Sequence, residues 1–250
     1  MTAPLAPGRT RLKVCCIASV GEARLAVAHG ADAVGLVSAM PSGPGVIDDA
    51  TVAAVGARVP VPVAAFLLTS RTDAAGLVAQ ARAAGATTLQ LVDAVPVDAL
   101  AAVRAALPGV RLVQVIHVLD EASVEEARAA LPHADALLLD SGNPRLAVKE
   151  LGGTGRVHDW ALSRRVRDVA HAAGVPVFLA GGLRAENVGD AVRAVRPFGV
   201  DVCSGVRTDG RLDADKLGAF ARALAAADRP PADRPPGEAA GAGAEPTRAA

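Results

Sequence analysis

Hydrophobic and polar positions repeat one arrangement along most of the chain. A short apolar run is followed by a loop and then by a longer, alanine-rich segment with apolar residues at helical spacing. The apolar runs predict parallel strands, because strands that are covered on both faces read as nearly continuous hydrophobic segments. We predict strands at residues 12–17, 33–37, 61–67, 88–91, 112–118, 136–140, 176–180 and 199–203.

The segments between these runs predict eight helices. They span residues 20–29, 50–58, 72–84, 97–106, 123–131, 160–173, 185–195 and 213–226. Several helices are followed by a glycine that suits a helix C-cap, namely Gly30, Gly85 and Gly174. Eight strand–helix units in 250 residues predict an α/β fold, a closed (β/α)8 TIM barrel. An open doubly wound sheet is the alternative, but no G-x-G-x-x-G motif follows the first strand.

The extent of the repeating pattern sets the expected domain boundaries. We predict an N-terminal extension over residues 1–10, the barrel over 11–227 and a disordered tail over 228–250. The tail is rich in proline, glycine and alanine and shows no period. The first ten residues lack the apolar core of a signal peptide, and no run is long enough to span a membrane. We therefore expect a cytoplasmic protein with no membrane partner.

Composition excludes further classes of partner. The chain has 26 basic and 26 acidic residues and only 2% aromatic residues. It has no basic cluster interleaved with aromatic residues, so a nucleic-acid partner is not expected. The three cysteines, of which two are adjacent, have no zinc-site spacing and are odd in number. They predict free thiols in a reducing compartment and no metal site.

The ends of the predicted strands carry the candidate chemistry, since catalytic groups of such barrels lie at the carboxyl ends of the strands. Cys15 ends the first strand, Gln90 lies on the fourth and Asp140 ends the sixth. A thiolate and a carboxyl suit proton transfer, because one takes a proton from carbon and the other gives one to oxygen. A small buried hydrophobe is the alternative for Cys15. Lys13, on the same strand face, either lowers the pKa of Cys15 or pairs with an acid at the barrel floor.

Glycine recurs in the three loops that follow the sixth, seventh and eighth strands. These loops contain GGTG at 152–155, AGG at 180–182 and CSG at 203–205. Exposed backbone N–H groups near helix N-termini bind phosphate, so the three turns together predict a phosphorylated small-molecule substrate. Taken alone, the segment after Asp140 also fits a surface loop whose acid caps the next turn.

Two histidines, His117 and His158, each have more than one possible role. His117 ends the fifth strand and either contacts the substrate or bonds to a neighbouring loop. His158 precedes Asp159, which fits the N-cap of the following helix, and therefore reads as a helix-start residue rather than a catalyst.

Taken together, these segments resemble the phosphoribosylanthranilate isomerase family. The resemblance spans residues 12–224 and rests on motifs that occur in the family's order. They are KVCCIAS at 13–19, GADAVGLV at 30–37, LLLDS at 137–141, GGTGRVHDW at 152–160, LAGGLRAENV at 179–188 and RPFGVDVCSGV at 196–206. The resemblance implies a barrel of the ribulose-phosphate-binding type. It also implies an Amadori rearrangement in tryptophan biosynthesis, carried out without a cofactor.

The resemblance also implies roles for individual residues. Cys15 matches the general base and Asp140 the general acid. The phosphate site matches Gly153, Gly155, Gly181, Gly182, Ser204 and Gly205. The oligomeric state stays open between monomer and homodimer. Two alternatives also remain, namely an isomerase of another phosphorylated sugar or amino sugar and a non-catalytic barrel that binds a phosphorylated ligand.

The chain departs from the family at several positions. Cys16 stands where the family usually has glycine, and the fourth strand ends in QLVD rather than QLHG. The loop at 40–47, MPSGPGVI, has no cation, although the family usually carries there a basic residue that pairs with the anthranilate carboxylate. We predict that Arg207 or Arg156 supplies this charge and that Gln90 is a further substrate contact.

Overall fold

The protein forms a closed barrel of eight parallel strands, each followed by a helix, which confirms the predicted fold. The computed structural model describes residues 8–146, 149 and 158–229. The strands are β1 (Arg11–Val14), β2 (Ala33–Val37), β3 (Ala64–Thr69), β4 (Thr88–Leu91), β5 (Arg111–His117), β6 (Ala136–Asp140), β7 (Val177–Leu179) and β8 (Gly199–Val202). Neighbouring strands pair in sequence order, and β8 pairs with β1. Because the sheet closes on itself, the doubly wound alternative is wrong.

The helices form the outer layer of the barrel. They are α1 (Val20–Ala28), α2 (Asp49–Gly56), α3 (Ala74–Ala84), α4 (Val97–Ala106), α5 (Ala122–Ala130), α6 (Trp160–Ala172), α7 (Val188–Val195) and α8 (Ala214–Ala227). Gly30, Gly85 and Gly174 all have positive φ angles, as expected for residues that end a helix. The main core lies between strands and helices, and a smaller one, which includes Phe66 and Phe178, fills the barrel interior.

Several boundaries differ from the prediction, and β1, for example, ends at Val14 rather than at 17. Strand β3 begins at Ala64 rather than at 61, because the segment around Pro62 forms a turn that leaves Val61 exposed. Helix α7 begins at Val188 rather than at 185. The side chain of Asn187 holds the preceding turn, accepting from the Arg184 N–H at 2.9 Å and donating to the Gly182 carbonyl at 3.0 Å.

The segment between β8 and α8 contains elements that the sequence pattern did not predict. A 3₁₀ turn, Ser204–Val206, is followed by a two-stranded hairpin of β9 (Arg207–Thr208) and β10 (Arg211–Leu212). At the far end of α8, the Asp228 carboxylate accepts hydrogen bonds from the N–H and hydroxyl of Thr10, at 2.8 and 2.6 Å. The start of β1 and the end of α8 are therefore held together.

Most of the predicted tail, from residue 230 onward, and the first seven residues lie outside the described part of the chain. Within the described part, no helix is both long and apolar enough to cross a membrane.

Candidate active site

A pocket opens where the strands of the barrel end. It brings together most of the residues predicted from the strand ends. Those that line it are Cys15, Gln90, Asp140, Gly181, Gly182 and Ser204. The loop after β2 closes one side of the pocket through Met40, Ser42, Gly43 and Pro44. Groups from seven of the eight strands, or from the loops directly after them, thus face one small volume, as the barrel fold requires of a catalytic site.

Cys15 and Asp140 lie in this pocket although 125 positions separate them in the chain (140 − 15). Both are nearly buried, with 6% and 9% of their surface exposed. The N–H of Cys15 donates to the Val202 carbonyl at 2.8 Å, which ties the end of β1 to β8. The Asp140 Oδ1 atom accepts from the Ser141 N–H at 2.7 Å. Both groups are therefore held by the backbone of the barrel.

The residue of β2 that lies against the Cys15 side chain, Gly35, has to be small. A Cβ atom on Gly35 would lie 2.8 Å from the Cys15 sulfur and 3.1 Å from the Lys13 ammonium. Contacts this short exclude a larger residue unless the thiol moves, so Gly35 makes room for the Cys15 side chain.

Lys13 pairs with an acid at the barrel floor, which was one of its two predicted roles. Its Nζ atom lies 2.6 Å from the Asp201 carboxylate, and both side chains are buried. Burial alone would lower the pKa of Lys13, but attraction to Asp201 outweighs it and the pKa is raised. Lys13 is therefore a cation with a partner on the neighbouring strand, as the register of β1 and β8 also requires.

The loops after β7 and β8 approach each other backbone to backbone. Gly181 and Gly182 both have positive φ, 84° and 60°. A Cβ atom on Gly205 would lie 2.0 Å from the Leu183 carbonyl oxygen, so only glycine fits there. This close approach shapes the side of the pocket formed by Gly181, Gly182 and Ser204. Of the other predicted phosphate contacts, Gly153 and Gly155 lie outside the described residues.

Gln90 lines the pocket and has a buried polar atom without a partner in the described part of the chain. The residue is 3% exposed, and its Oε1 atom has no hydrogen-bond partner among the residues that the structure describes. A buried polar atom without a partner costs stability, so such an atom in a pocket is a natural ligand contact.

The histidines differ from one another in their surroundings. The Nε2 atom of His117 lies 3.0 Å from the Val92 carbonyl oxygen, so this histidine bonds to a neighbouring loop, which is one of its two predicted roles. Asp159 caps α6 as predicted, accepting from the Ala161 N–H at 2.7 Å. His158 is partly buried, and burial lowers its pKa against the opposing effects of Asp140 and Asp159. Its sequence position beside a helix cap gave no sign that it lies near the acid.

Arg207 does not lie in the pocket, which corrects its predicted role as a substrate contact. Its side chain is 8% exposed, and its guanidinium contacts the Glu22 carboxylate at 3.1 and 3.3 Å. It also donates to the carbonyls of Cys15 and Cys16, at 3.1 and 2.5 Å. The hairpin of β9 and β10 carries Arg207 behind the turn that follows β1, where its Nη1 and Nη2 atoms already have partners. The other candidate cation, Arg156, lies outside the described residues.

A different cation lies beside the uncharged loop at 40–47. The Ser42 hydroxyl donates to the Lys149 carbonyl, which brings the β6–α6 loop against this segment. The Lys149 ammonium lies 2.5 Å from the Asp93 carboxylate at the end of β4. Sequence reasoning missed Lys149, because no local pattern signals a contact between positions 107 residues apart.

The cysteines form a group at the end of β1. Cys16 has a positive φ of 61°, and its sulfur lies 2.7 Å from that of Cys203. The same sulfur is 3.5 Å from the Pro44 carbonyl oxygen. All three cysteines are free thiols.

The fold and the pocket define a TIM-barrel protein with a site at the carboxyl ends of its strands. A family model for N-(5'-phosphoribosyl)anthranilate (PRA) isomerase matches residues 13–223. The chain therefore belongs to the phosphoribosylanthranilate isomerase family, which confirms the resemblance seen in its motifs.

Relatives and solved structures agree with this assignment. The N-(5'-phosphoribosyl)anthranilate isomerase of Methanocella arvoryzae is 35% identical, with 81% of this chain and 91% of that protein aligned. The N-(5'-phosphoribosyl)anthranilate isomerase of Halorubrum lacusprofundi is 39% identical, with 84% of this chain and 94% of that protein aligned. The crystal structure of the enzyme from Thermotoga maritima has a TM-score of 0.73 at 28% identity, covering 87% of this chain and 99% of that one. A second solved structure is a phosphoribosyl anthranilate isomerase in complex with reduced 1-(o-carboxyphenylamino)-1-deoxyribulose 5-phosphate. It has a TM-score of 0.71 at 26% identity, covering 87% of this chain and 99% of that one.

Proposed function

We propose that this chain converts N-(5'-phosphoribosyl)anthranilate to 1-(o-carboxyphenylamino)-1-deoxyribulose 5-phosphate, a step of tryptophan biosynthesis. The observation that carries the proposal is the meeting of Cys15 and Asp140 in one pocket beside the glycine loops of β7 and β8. Membership of the isomerase family supports it. The chemistry is an aldose–ketose isomerisation that acid–base catalysis alone can drive.

Asp140 acts first, as the general acid. It donates a proton to the ribose ring oxygen while the C1'–oxygen bond breaks and the nitrogen lone pair forms a C=N bond. The product of this step is an open-chain Schiff base. The nearly buried position of Asp140 favours proton transfer, because bulk water does not compete for the carboxyl.

Cys15 then acts as the general base. Its thiolate removes the proton from C2', and the electron pair moves into a C1'–C2' double bond to neutralise the nitrogen. The resulting enolamine takes up a proton at C1' and loses one from the C2' hydroxyl, which gives the ketone. A thiolate suits this step, because it is the reactive form of cysteine.

The phosphate of the substrate binds at the loops after β7 and β8. Gly181, Gly182 and Ser204 line that side of the pocket, and Gly205 allows the two loops to approach each other. Backbone N–H groups in such turns bind an anion without a charged side chain. Gly153 and Gly155 complete this site in the proposal.

Recognition of the anthranilate end falls to Gln90 and Lys149. The unpaired oxygen of Gln90 accepts a hydrogen bond from the substrate inside the pocket. Lys149 supplies the positive charge that the loop at 40–47 lacks, since its backbone accepts from Ser42 of that loop. The substrate carboxylate then competes with Asp93 for the ammonium group.

Substitution of the two catalytic groups tests the mechanism. We expect Cys15→Ser and Asp140→Asn each to lower kcat by at least about 100-fold, the usual contribution of general acid–base catalysis. Turnover is followed by the fluorescence of the anthranilate group, and circular dichroism checks that each variant folds. Asp168→Asn, an exposed change on α6, is the matched control and should keep full activity. Wild-type turnover in either site variant would exclude the proposed roles.

One observation favours a second candidate, an isomerase of another phosphorylated amino sugar. The loop at 40–47 carries no cation, and Arg207 is bound elsewhere. Complementation of a bacterial tryptophan auxotroph separates the two, since growth requires the anthranilate substrate. Calorimetric binding of ribose 5-phosphate by a protein without turnover would instead indicate a non-catalytic barrel.

The remaining properties follow from the same proposal. Residues 11–227 form the catalytic unit, so deletion of residues 230–250 leaves kcat unchanged. The enzyme is soluble and works in the cytoplasm, where three free thiols stay reduced. It is a monomer or a homodimer, and light scattering of the purified chain distinguishes these states.

A further inference from the structure

Cys16 and Cys203 meet at the rim of the pocket and have no part in the proposed mechanism. The register of β1 with β8 pairs Val14 with Val202, so that both strands end side by side. The left-handed backbone of Cys16 then turns its side chain back towards β8. The two sulfur atoms lie 2.7 Å apart, and both residues line the pocket.

We propose that Cys16 and Cys203 form a site of reversible oxidation, in which a peroxide joins them by a disulfide bond and turnover at Cys15 falls. The covalent part of this proposal stands on the geometry of the two thiols. Only its effect on turnover rests on the proposed function.

The oxidation balances with hydrogen peroxide as the oxidant. The Cys203 thiolate attacks one peroxide oxygen, the O–O bond breaks, and a sulfenic acid forms with release of hydroxide, which becomes water. The Cys16 sulfur, after losing its proton, attacks the sulfenic sulfur and displaces the second oxygen as water. Two thiols and one peroxide thus give one disulfide and two waters. An added dithiol reverses the bond by thiol–disulfide exchange.

Three features favour this pair as the reacting thiols. The sulfur atoms need to approach by only about 0.65 Å, from 2.7 Å to a bond length of about 2.05 Å. Both border the open pocket, which gives a molecule as small as peroxide a path to them. A hydrogen bond from Cys16, aided by the positive charge of Arg207, lowers the pKa of Cys203 against the effect of burial. The thiolate is the form that reacts with peroxide.

A metal ion is a weaker explanation of the same group of thiols. Within the described residues, no set of three or more histidine, cysteine, aspartate or glutamate side chains is arranged to hold an ion. Two cysteines with no further ligand make a poor zinc site but a complete disulfide.

Oxidation affects turnover because Cys16 lies next to Cys15 in space as well as in sequence. Hydrogen bonds with Cys15 and Cys203 raise the pKa of Cys16, so Cys16 keeps its proton while a neighbouring sulfur ionises. The disulfide removes this S–H donor from beside the base. It also ties the turn that carries Cys15 to the end of β8, which precedes the phosphate loop.

Peptide mapping of the full chain tests the bond itself. Reduced protein is treated with hydrogen peroxide or buffer, alkylated and digested with trypsin. Residues 14–24 and 194–207 are then separate peptides, because trypsin does not cleave before Pro197. We expect a linked pair of these peptides in oxidised wild type, absent after dithiothreitol and absent in Cys203→Ser. Cys15→Ser should retain the link and Cys16→Ser should lose it. Failure to find the link in oxidised wild type, or its persistence in Cys16→Ser, would overturn the proposal.

Activity is measured on the same samples, with each variant compared to its own reduced state. Wild type should lose at least about five-fold in turnover as the linked peptide accumulates, and dithiothreitol should restore it. Cys203→Ser cannot form the disulfide bond and should therefore not show this loss of turnover. A fully linked protein with unchanged turnover would refute the switch. Reduced protein without any isomerase activity would instead count against the proposed function, and the peptide measurement would still decide whether the bond forms.

Discussion

The cation Lys149 lies beside a loop that carries no positive charge of its own. Its backbone accepts from Ser42, and its ammonium pairs with Asp93 at 2.5 Å. The Lys149 side chain is about half exposed, so the pair with Asp93 contributes little to folding and can be exchanged for a ligand carboxylate. In the proposed function, this one residue supplies the positive charge that the loop lacks.

Removal of this charge should affect substrate binding more than chemistry. We expect Lys149→Gln to raise KM about ten-fold, which corresponds to about 1.4 kcal/mol, with a smaller change in kcat. Steady-state kinetics with the anthranilate substrate measure both constants. Arg128→Gln, which removes an exposed charge from α5, is the control. An unchanged KM in Lys149→Gln would show that another group binds the carboxylate.

At the scale of elements, one side chain joins the start of α1 to the hairpin of β9 and β10. Glu22 accepts from the Ala18 N–H at 3.0 Å in front of the helix and from the Leu212 N–H at 2.9 Å in the hairpin. It also pairs with Arg207, which holds the carbonyls of Cys15 and Cys16. The hairpin therefore braces the turn that presents the proposed base.

Loss of the Glu22 charge should destabilise the protein in a pH-dependent way. Burial would raise the pKa of Glu22, but Arg207 and the two N–H groups outweigh it and lower the pKa from its usual 4.5. The charged form therefore adds stability above pH 4.5, and this contribution disappears as the pH falls through the lowered value. We expect Glu22→Gln to cost about 1–3 kcal/mol at pH 7 and progressively less below pH 4.5.

Urea unfolding of wild type and Glu22→Gln at several pH values measures this difference. Glu186→Gln, an exposed substitution in the turn before α7, serves as the control and should change little. A difference that is the same at pH 7 and pH 3.5 would mean that Glu22 does not act through its charge.

Regular elements could be predicted from the sequence because each repeats a hydrophobic period over several residues. All eight strands and eight helices of the barrel were predicted in this way, and Cys15 and Asp140 were found at their strand ends. The hairpin was not, because two-residue strands leave no period to read. The contact of Cys16 with Cys203 and the burial of Arg207 also depend on the closure of β8 against β1. The sequence pattern within β1 or within β8 does not predict that these two strands pair.

For the whole molecule, the junction of β1 and β8 decides whether the barrel closes. Lys13 and Asp201 face each other across this junction as a buried ion pair with a separation of 2.6 Å. Removal of one partner leaves an uncompensated charge inside the barrel, which typically costs about 3–5 kcal/mol. Replacement of both by apolar groups avoids that cost.

We therefore expect Lys13→Met to lower the unfolding free energy strongly and the double variant Lys13→Met, Asp201→Leu to recover most of the loss. Denaturant unfolding monitored by circular dichroism provides the comparison. Because Asp201 also lines the pocket, activity is not the readout here. A double variant no more stable than Lys13→Met would indicate that shape, rather than charge, governs this junction.

The hydrogen bonds between Thr10 and Asp228 have a consequence for the order of the chain. They hold the beginning of the first strand within 2.8 Å of the residue after the last helix. A short peptide joining these two points would close the polypeptide into a ring without stretching it. New termini could then be opened in a surface loop on the side of the barrel away from the pocket. The same barrel would be rebuilt from a circularly permuted gene, with its strands synthesised in a different order.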